Sequence, residues 1–114
     1  MAHILQILRA IGMDHILTEY YSWRSQSSDP GAQIDLIIDR ADGFLNICEV
    51  KDSKDDYTLT KAEADKIDNR VSTFQQETGT DKNLLVTLIT VKPVKENAWT
   101  DTVSSFVSLQ DLLV

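Results

Sequence analysis

Two stretches near the middle of the chain have the composition and the apolar–polar pattern of a β-hairpin. They run from Gln33 to Arg40 and from Phe44 to Lys51, and both are rich in β-branched and large apolar residues. Between them, Asp42-Gly43 is a typical turn sequence. The pattern therefore predicts two antiparallel strands joined by a tight turn.

The length of the turn decides which side chains meet across this hairpin. A three-residue loop, Ala41-Asp42-Gly43 with its glycine in the left-handed conformation, places Asp35 opposite Glu49. A two-residue loop places Asp35 opposite Val50 instead, because a slip of one residue moves the side chains of a strand to the other face. We favour the three-residue loop, because it puts polar residues on one face and apolar residues on the other.

In this register the hairpin has one face suited to chemistry and one suited to a core. The first face carries Asp35 opposite Glu49, and it places Gln33 across from Lys51. The other face consists of three pairs that are largely apolar: Ile34 with Val50, Leu36 with Cys48, and Ile38 with Asn46.

The remaining patterns predict helices and strands that surround this hairpin. An apolar stripe from Ala2 to Met13 predicts a first helix, and the capping pair Thr60 and Glu63 predicts a second helix that ends at Gly79. Leu84 to Val91 is an almost continuous apolar run, typical of a strand that is covered on both faces and reached through a helical crossover. The other predicted features are a buried stripe of Ala64, Ile67, Val71 and Phe74 on the second helix, strands at Leu17–Arg24 and Val103–Leu109, and turns at Asp29–Gly31 and Gln110–Val114. Together they predict an α/β protein with a mixed five-stranded sheet.

Length and composition indicate one globular domain, spanning residues 1–114. The chain has 114 residues, of which 42% are hydrophobic and 25% are charged. Its apolar runs are too short to span a membrane, and its N-terminus lacks the pattern of a signal peptide. We therefore expect a soluble, cytoplasmic protein.

The net charge of −7 bears on the choice of partner. Most proteins that bind nucleic acid carry a basic surface, and the composition of this chain does not indicate one. Asp52, Asp55 and Asp56 follow directly after Lys51, and Lys54 is the basic residue among them. We interpret this segment as a solvated acidic loop, which would weaken binding to nucleic acid.

Cysteine and histidine suggest no metal or redox site. The single cysteine, Cys48, cannot form an internal disulfide, and its place on the apolar face predicts a buried residue rather than a nucleophile. His3 and His15 have no partners at the spacing of a zinc site. The sequence also contains no GxxxxGK[ST] loop for binding phosphate.

The carboxylates of the hairpin point to a different metal. Two carboxylates on directly opposite residues, with Cβ atoms about 5 Å apart, destabilise a sheet unless something neutralises them. Oxygen ligands of this kind suit Mg²⁺ or Mn²⁺. Lys51, two residues after Glu49, could orient an attacking water or stabilise charge on a phosphate. These residue types in this pattern favour hydrolysis of a phosphodiester.

The same residues resemble the signature of a known superfamily. Asp35 followed by Glu49-Val50-Lys51 on the next strand is similar to the D…(D/E)xK pattern of the PD-(D/E)XK nucleases. Four longer segments resemble the nuclease-like C-terminal domain of a group of bacterial AAA+ ATPases: YSWRS at 21–25, GAQID at 31–35, CEVK at 48–51 and LVTLIT at 85–90. This resemblance covers nearly the whole chain. It implies a three-layer, restriction-endonuclease-like core in the order α-β-β-β-α-β, in a chain truncated at its N-terminus relative to a larger ATPase.

The resemblance also implies roles for the residues of the hairpin. Asp35 and Glu49 would be ligands of Mg²⁺ or Mn²⁺, and Lys51 would be the catalytic lysine. Members of the family often carry a further acid on the first helix, upstream of the stretch that matches His3–Ile7, and this chain begins too late to include it.

Four other residues are candidates for the site. Glu19 could replace the missing acid if the first strand brings it to the same place, and Gln33 would line the site. Lys61 and Tyr57 are candidate phosphate contacts, although an exposed lysine and a packing tyrosine are the commoner fates of such residues.

Two functions from different classes fit these observations. The first is a Mg²⁺- or Mn²⁺-dependent DNA phosphodiester hydrolase associated with an ATPase. The alternative is a catalytically inactive module that keeps the nuclease fold and serves the assembly or regulation of the ATPase. A third interpretation treats the acids and the lysine as a structural ion pair. The expected partners are DNA and an upstream ATPase domain, without a membrane, and the sequence leaves the oligomeric state open, a homo-oligomer included.

Overall fold

A mixed five-stranded sheet forms the centre of the protein in a computed structural model, which describes residues 9, 16–26, 32–52 and 54–108. The described strands are β1 (Thr18–Arg24), β2 (Gln33–Arg40), β3 (Phe44–Lys51), β4 (Tyr57–Thr58), β5 (Asn83–Thr90), β6 (Val94–Lys95) and β7 (Ser105–Ser108). The order in the main sheet is β1-β2-β3-β5-β7. Neighbours among β1, β2 and β3 are antiparallel, whereas β5 and β7 extend the sheet in parallel. Strands β4 and β6 form a separate parallel pair.

A long helix, α1 (Lys61–Thr78), makes the crossover that leads to β5. It begins as its capping sequence predicts, because the Thr60 hydroxyl accepts a hydrogen bond from the Glu63 backbone N–H at 3.2 Å. It ends at Gly79, whose φ of 62° is left-handed and whose N–H donates to the Gln75 carbonyl. A short 3₁₀ helix, Thr100–Thr102, precedes β7.

The hairpin of β2 and β3 has the predicted register. Its pairs include Leu36 with Cys48 and Ile38 with Asn46, as the three-residue loop requires. Gly43 has a φ of 92°, a conformation that L-amino acids with a side chain rarely adopt. The prediction of a three-residue loop is therefore confirmed.

The pairing of β1 with β2 contains a bulge. Tyr21 pairs with Ile37, but Trp23 pairs with Ile34. Two steps along β1 therefore match three along β2, which places the extra residue of β2 at Asp35–Leu36. Bulges of this kind redirect side chains and are frequent beside functional sites.

The predicted face of Ile34 and the predicted burial of Val50 both need correction. Ile34 was expected on the face opposite Ile37, but both belong to one buried cluster, because an extra residue reverses the alternation in the part of β2 that precedes it. Val50, expected to pair with Ile34 in the core, is 42% exposed. Leu36 and Cys48 are buried as predicted.

The core lies between the sheet and α1 and extends across β5. One cluster contains Ile34, Ile37, Leu45, Ile47 and Phe74. A second contains Tyr57, Leu59, Ala64, Ile67, Val86, Leu88 and Val103. The side chains of the consecutive residues Leu88 and Ile89 point to opposite faces of the sheet, and both are fully buried. Strand β5 is therefore covered on both faces, as its continuous apolar sequence predicts.

A row of polar side chains crosses the sheet on the face opposite the two clusters. Arg40 Nη1 donates to Asn46 Oδ1 at 3.1 Å, and Asn46 Nδ2 donates to Thr87 Oγ1 at 3.0 Å. The Thr87 hydroxyl in turn lies 2.8 Å from that of Ser105. Arg40 also forms a two-point ion pair with Asp42 in the turn, and this hydrogen bonding lowers the pKa of the Asp42 carboxyl. The row connects the turn to β7 through three side-chain contacts, each between neighbouring strands of the sheet.

These observations confirm the α/β class and the mixed five-stranded sheet. The last strand lies at the edge of the sheet, as expected, with described bounds of Ser105–Ser108. Arg9 is helical, but the rest of the predicted helix Ala2–Met13 lies outside the described residues, as do the turns Asp29–Gly31 and Gln110–Val114. In the described part of the chain, no helix has both the length and the apolar character needed to cross a membrane.

Candidate active site

The predicted site residues lie toward the carboxyl end of β3. Glu49 and Lys51 belong to the last three residues of this strand, which pairs in parallel with the end of β5. The described ladder between β2 and β3 ends at the pair Leu36–Cys48, one residue before Asp35 and Glu49. Ligands of open α/β sheets commonly bind outside the carboxyl ends of parallel strands. The site therefore lies at a place in the sheet that favours binding.

Glu49 is the most buried acid of the hairpin. Its side chain is 10% exposed and forms an ion pair with Arg70 of α1, with 2.8 Å between Nη1 and Oε2. Its second oxygen, Oε1, is buried and has no hydrogen-bond partner. A buried polar atom without a partner costs about 1–3 kcal/mol, and more when it is charged. Glu49 therefore has an unsatisfied oxygen that a cation or a polar ligand would satisfy.

Asp35 is exposed and is held by its neighbour on the same strand. Gln33 Nε2 donates to Asp35 Oδ1 at 2.8 Å, and Arg24 of β1 donates to Gln33 Oε1 at 2.9 Å. Residues two apart on a strand share a face, which explains this pairing. Ile34, between them, packs in the cluster against α1, so Gln33 and Asp35 leave the other face of the sheet. Glu49 leaves the face that contacts Arg70 of α1. The prediction that Asp35 and Glu49 share one face is therefore wrong, because the bulge at Asp35–Leu36 reverses the alternation.

Lys51 ends β3 opposite Thr90 and is half-buried. It lies two residues from Glu49 on the same strand, so both side chains leave the same face. Within the described ranges, its ammonium has no ion pair closer than 4 Å. Lys51 is therefore available to contact an anionic ligand.

The structure places three other candidates away from this group. Glu19 pairs with Asp39, four residues along β2 from Asp35, which corresponds to roughly 13 Å of strand. Lys61 forms an exposed ion pair with Asp65 on the surface of α1. Tyr57 is a core residue, 7% exposed, and its hydroxyl is buried. Tyr57 therefore packs in the core and Lys61 is exposed on the surface. These are the positions expected of such residues when they do not contact phosphate.

A groove lined by lysines lies beyond the carboxyl ends of the strands, and sequence reasoning did not find it. It has a volume of about 650 Å³ and is lined by Lys54, Asp55, Asp56, Lys92, Pro93 and Lys95. The parallel pairing of β4 with β6 brings the two segments together, with the Tyr57 N–H donating to the Pro93 carbonyl at 2.8 Å. We call these six residues the lysine groove.

The region around the lysine groove differs in charge from the rest of the chain. Segments 51–56 and 92–95 together carry four lysines and three aspartates. The chain has 11 Lys and Arg and 18 Asp and Glu, so seven basic and fifteen acidic residues remain elsewhere. In the described part of the chain, no ion pair engages the three groove lysines. The acidic loop after Lys51 is therefore offset by lysines from a distant segment.

A divalent cation at this place would have Glu49 as its carboxylate ligand, because Asp35 leaves the other face of the sheet. Mg²⁺ usually takes one or two carboxylates and keeps several waters. The described residues contain no group of three or more His, Cys, Asp or Glu side chains arranged around one point. The buried, unpartnered Oε1 of Glu49 is the observation that favours a cation, because an oxygen of this kind is a preferred ligand of Mg²⁺ and Mn²⁺.

Cys48 lies next to Glu49 in the chain but points into the core. It is 1% exposed, and burial, with a smaller contribution from the Glu49 charge, raises the pKa of its thiol to about 12. The thiol is therefore protonated at neutral pH. The predicted burial of Cys48 is confirmed.

We expect Cys48 to resist thiol reagents in the folded protein. At pH 8 its reaction with Ellman's reagent should be slower than in urea-unfolded protein by about three orders of magnitude, because little thiolate forms at this pKa. The measurement is the rate of absorbance increase in the native and unfolded states. Equal rates in the two states would contradict the buried position.

The comparisons with known proteins identify a fold but no family. No protein-family model and no curated protein matches this chain. The structure is similar to the crystal structure of AF1548, a protein of unknown function, with a TM-score of 0.61 and 15% sequence identity. The match covers 95% of this chain but only 61% of the AF1548 chain, so this chain spans less than two thirds of its length. At this identity the similarity shows a shared α/β fold.

Proposed function

We propose that this chain is a nuclease-like domain that hydrolyses phosphodiester bonds of DNA with Mg²⁺ or Mn²⁺. The observation that carries the proposal is the buried Oε1 of Glu49, which has no partner in the described structure. The resemblance of Asp35 and Glu49-Val50-Lys51 to the PD-(D/E)XK signature supports the same interpretation.

Each residue of the site has a defined task in this proposal. Glu49 would hold the cation, which would polarise a phosphoryl oxygen when bound. Lys51 uses its ammonium to stabilise negative charge on the phosphate or to orient the attacking water. The lysine groove contacts neighbouring phosphates of the same strand and so directs the backbone toward β3.

A cleavage assay tests this function. Labelled single- and double-stranded DNA is incubated with Mn²⁺ and the wild-type chain, the Lys51→Ala variant or the Glu49→Gln variant. We expect slow cleavage by the wild type, because the acidic chain binds a polyanion weakly, and loss of cleavage in both variants. Cleavage that persists in both variants would show a contaminating nuclease and contradict the proposal.

An inactive interaction module remains the second candidate, and the Arg70 ion pair favours it. Arg70 already neutralises part of the Glu49 charge, as a protein would require if the site held no metal. In that case the domain would serve assembly or regulation of an ATPase to which it is attached. Two results together would support the module. The first is that neither this chain nor a longer natural form with an ATPase domain cleaves DNA. The second is that the ATPase no longer assembles when this domain is deleted.

The lysine groove predicts how DNA binding depends on salt. Each phosphate contact that is lost should reduce the slope of log K against log salt concentration by about 0.9 for a DNA duplex. We expect the Lys92→Gln/Lys95→Gln double variant to lower the slope by about 2 and to weaken binding at low salt. Fluorescence anisotropy of a labelled duplex without divalent metal measures this.

The matched control is Lys61→Gln, which removes a lysine that is paired with Asp65 outside the groove. It should leave the slope nearly unchanged. A Lys61→Gln effect as large as that of the double variant would mean that DNA responds to overall charge, and the groove would lose its assigned role.

A further inference from the structure

The backbone of β5 bonds alternately to the strands on its two sides. The Asn83 N–H donates to the Gly43 carbonyl at 3.1 Å, at the start of the ladder with β3. Backbone groups alternate in direction along a strand, so every second residue from Asn83 bonds to β3 and the residues between them bond to β7. The Val86 carbonyl agrees with this assignment, because it accepts from the Ser104 N–H at 2.8 Å. Leu88, two residues further on, therefore also bonds to β7.

This assignment leaves one side of β7 open. Leu88 lies opposite Phe106, and in a parallel ladder a residue bonds to the two neighbours of its partner, here Ser105 and Val107. The N–H and C=O groups of Phe106 and Ser108 therefore point away from β5. Strand β7 ends the sheet, and within the described ranges these outward groups have no hydrogen-bond partner. An edge of this kind can pair with another extended chain.

The same two residues line a pocket beside this edge. It has a volume of about 550 Å³, and its walls include Val94, Glu96, Asp101, Val103, Phe106 and Ser108. We call it the edge pocket. Phe106 and Ser108 thus contribute side chains to the pocket and backbone groups to the open edge. Domains that bind extended peptides use this combination, in which the edge gives affinity and the pocket gives specificity.

The edge pocket is both apolar and acidic. Val94, Val103 and Phe106 form its apolar walls, and Phe106 is 44% exposed. The carboxylates of Glu96 and Asp101 have no ion pair in the described part of the chain, and the described lining contains no lysine or arginine. An arginine or lysine side chain complements such a pocket, because its stem packs on apolar surface while its charge meets carboxylates and an aromatic ring.

Charge disfavours two other occupants of this edge. The lysine groove shares Pro93 with the edge pocket but has basic walls, so a nucleic acid held in the groove would be repelled from the pocket. A second copy of this chain would bring a further net charge of −7 to an acidic surface. A basic partner is therefore the occupant that the charges favour.

We propose that β7 binds a basic peptide segment of a partner protein by strand addition, with an arginine or lysine of that segment in the edge pocket. The segment extends the sheet through hydrogen bonds to the outward groups of Phe106 and Ser108. Side chains of the added strand alternate between faces, so every second residue faces the pocket side. The segment therefore has apolar residues two positions before and after its basic residue, where they cover Phe106. This binding does not depend on a cation at Glu49.

Fluorescence anisotropy with a labelled peptide tests the pocket. The probe has the sequence Ser-Val-Thr-Arg-Thr-Val-Ser, which places the arginine and both valines on one face of a strand, and the control peptide has glutamate in place of arginine. We expect the Glu96→Gln/Asp101→Asn double variant to weaken binding of the arginine peptide by about 10-fold, because charge-assisted hydrogen bonds are lost. The Asp65→Asn/Asp68→Asn double variant removes the same charge from the exposed surface of α1 and should bind as the wild type does.

A proline at position 108 tests strand addition separately. Ser108→Pro removes the outward N–H, and proline is tolerated on an edge strand where the N–H faces solvent. Ser108→Ala is the matched control, because it loses the same hydroxyl, which lies 3.4 Å from the Val91 carbonyl, but keeps the N–H. We expect Ser108→Pro to weaken binding by about 5-fold and Ser108→Ala to bind as the wild type does.

Four results would each overturn the proposal. The first is that the arginine peptide does not bind at millimolar concentration, or binds no better than the glutamate peptide. The second is wild-type affinity in Glu96→Gln/Asp101→Asn, and the third is equal affinity in Ser108→Pro and Ser108→Ala. The fourth is a wild-type dimer in sedimentation that Ser108→Pro converts to a monomer, because a second copy would then occupy the edge. Circular dichroism at the assay temperature confirms that each variant is folded.

Discussion

The Glu49→Gln variant is expected to lose Mn²⁺ binding while it keeps the wild-type fold. Glutamine has the size of glutamate and can still accept the hydrogen bond from Arg70, but it removes the negative charge at the buried Oε1. The loss of affinity should exceed about 100-fold, because even residues that only orient a ligand contribute 10- to 100-fold. Cleavage of DNA should fall together with the affinity for Mn²⁺. The measurements are titration with MnCl₂ and the cleavage assay.

The fold should tolerate this change because Arg70 does not become a buried, unpaired charge. Its side chain is 28% exposed, so water can solvate the guanidinium. Glu19→Gln is the matched control, since Glu19 lies opposite Asp39 and away from the site. Equal Mn²⁺ affinity in Glu49→Gln and the wild type would remove Glu49 from the metal site.

The Phe74→Ala variant is expected to be strongly destabilised. Phe74 is 1% exposed, packs with Ile37 and Ile47 under the hairpin, and meets the Trp23 ring edge to face at 5.2 Å. Its truncation removes a large buried side chain and leaves a cavity, which typically costs 3–5 kcal/mol. For a domain of this size we expect a fall in melting temperature of about 10 to 20 °C. Thermal unfolding followed by circular dichroism measures it.

Phe106→Ala is the matched control for this substitution. Phe106 is 44% exposed at the edge of the sheet, so the same truncation there should cost less than about 1 kcal/mol. Similar losses at the two positions would contradict the described core.

The hairpin and the long helix were predictable because their signals are local. Asp42-Gly43 and the separation of polar from apolar residues determine the register, and the structure confirms it with Gly43 at a φ of 92°. Thr60 and Gly79 mark the ends of α1, and both act as caps. Such features depend on residues a few positions apart, which a sequence shows directly.

The bulge was not predictable from the hairpin sequence. Asp35–Leu36 contains neither glycine nor proline, and the extra residue arises from the pairing of β2 with β1, a contact that the pattern within β2 does not encode. The face assignment of Ile34 was wrong for this reason. A regular strand was assumed where the partner strand imposes a break.

Two contributors to the site depend on contacts between distant segments. Lys92 and Lys95 reach Lys54 through β4 and β6, which have two residues each and are too short to show a periodic pattern. Arg70 pairs with a residue 21 positions away. Its place beside the buried stripe of α1 indicates that it borders the sheet, but no sequence signal identifies Glu49 as its partner.

The similarity to AF1548 shows a common fold, while function depends on the particular residues of the site. In the proposed function those residues are Glu49 and Lys51, with the lysine groove beside them. The presence of a cation at Glu49 is the claim on which the proposed chemistry depends.

Crystals soaked in MnCl₂ test this claim most directly. Anomalous diffraction locates Mn²⁺ without reference to activity or to DNA binding. We predict a peak within coordination distance of Glu49 Oε1, with Arg70 still bonded to Glu49 Oε2, and no peak in Glu49→Gln crystals. Diffraction that shows Mn²⁺ only at other surface carboxylates, or no Mn²⁺ at all, would contradict a metal-dependent nuclease site in this protein.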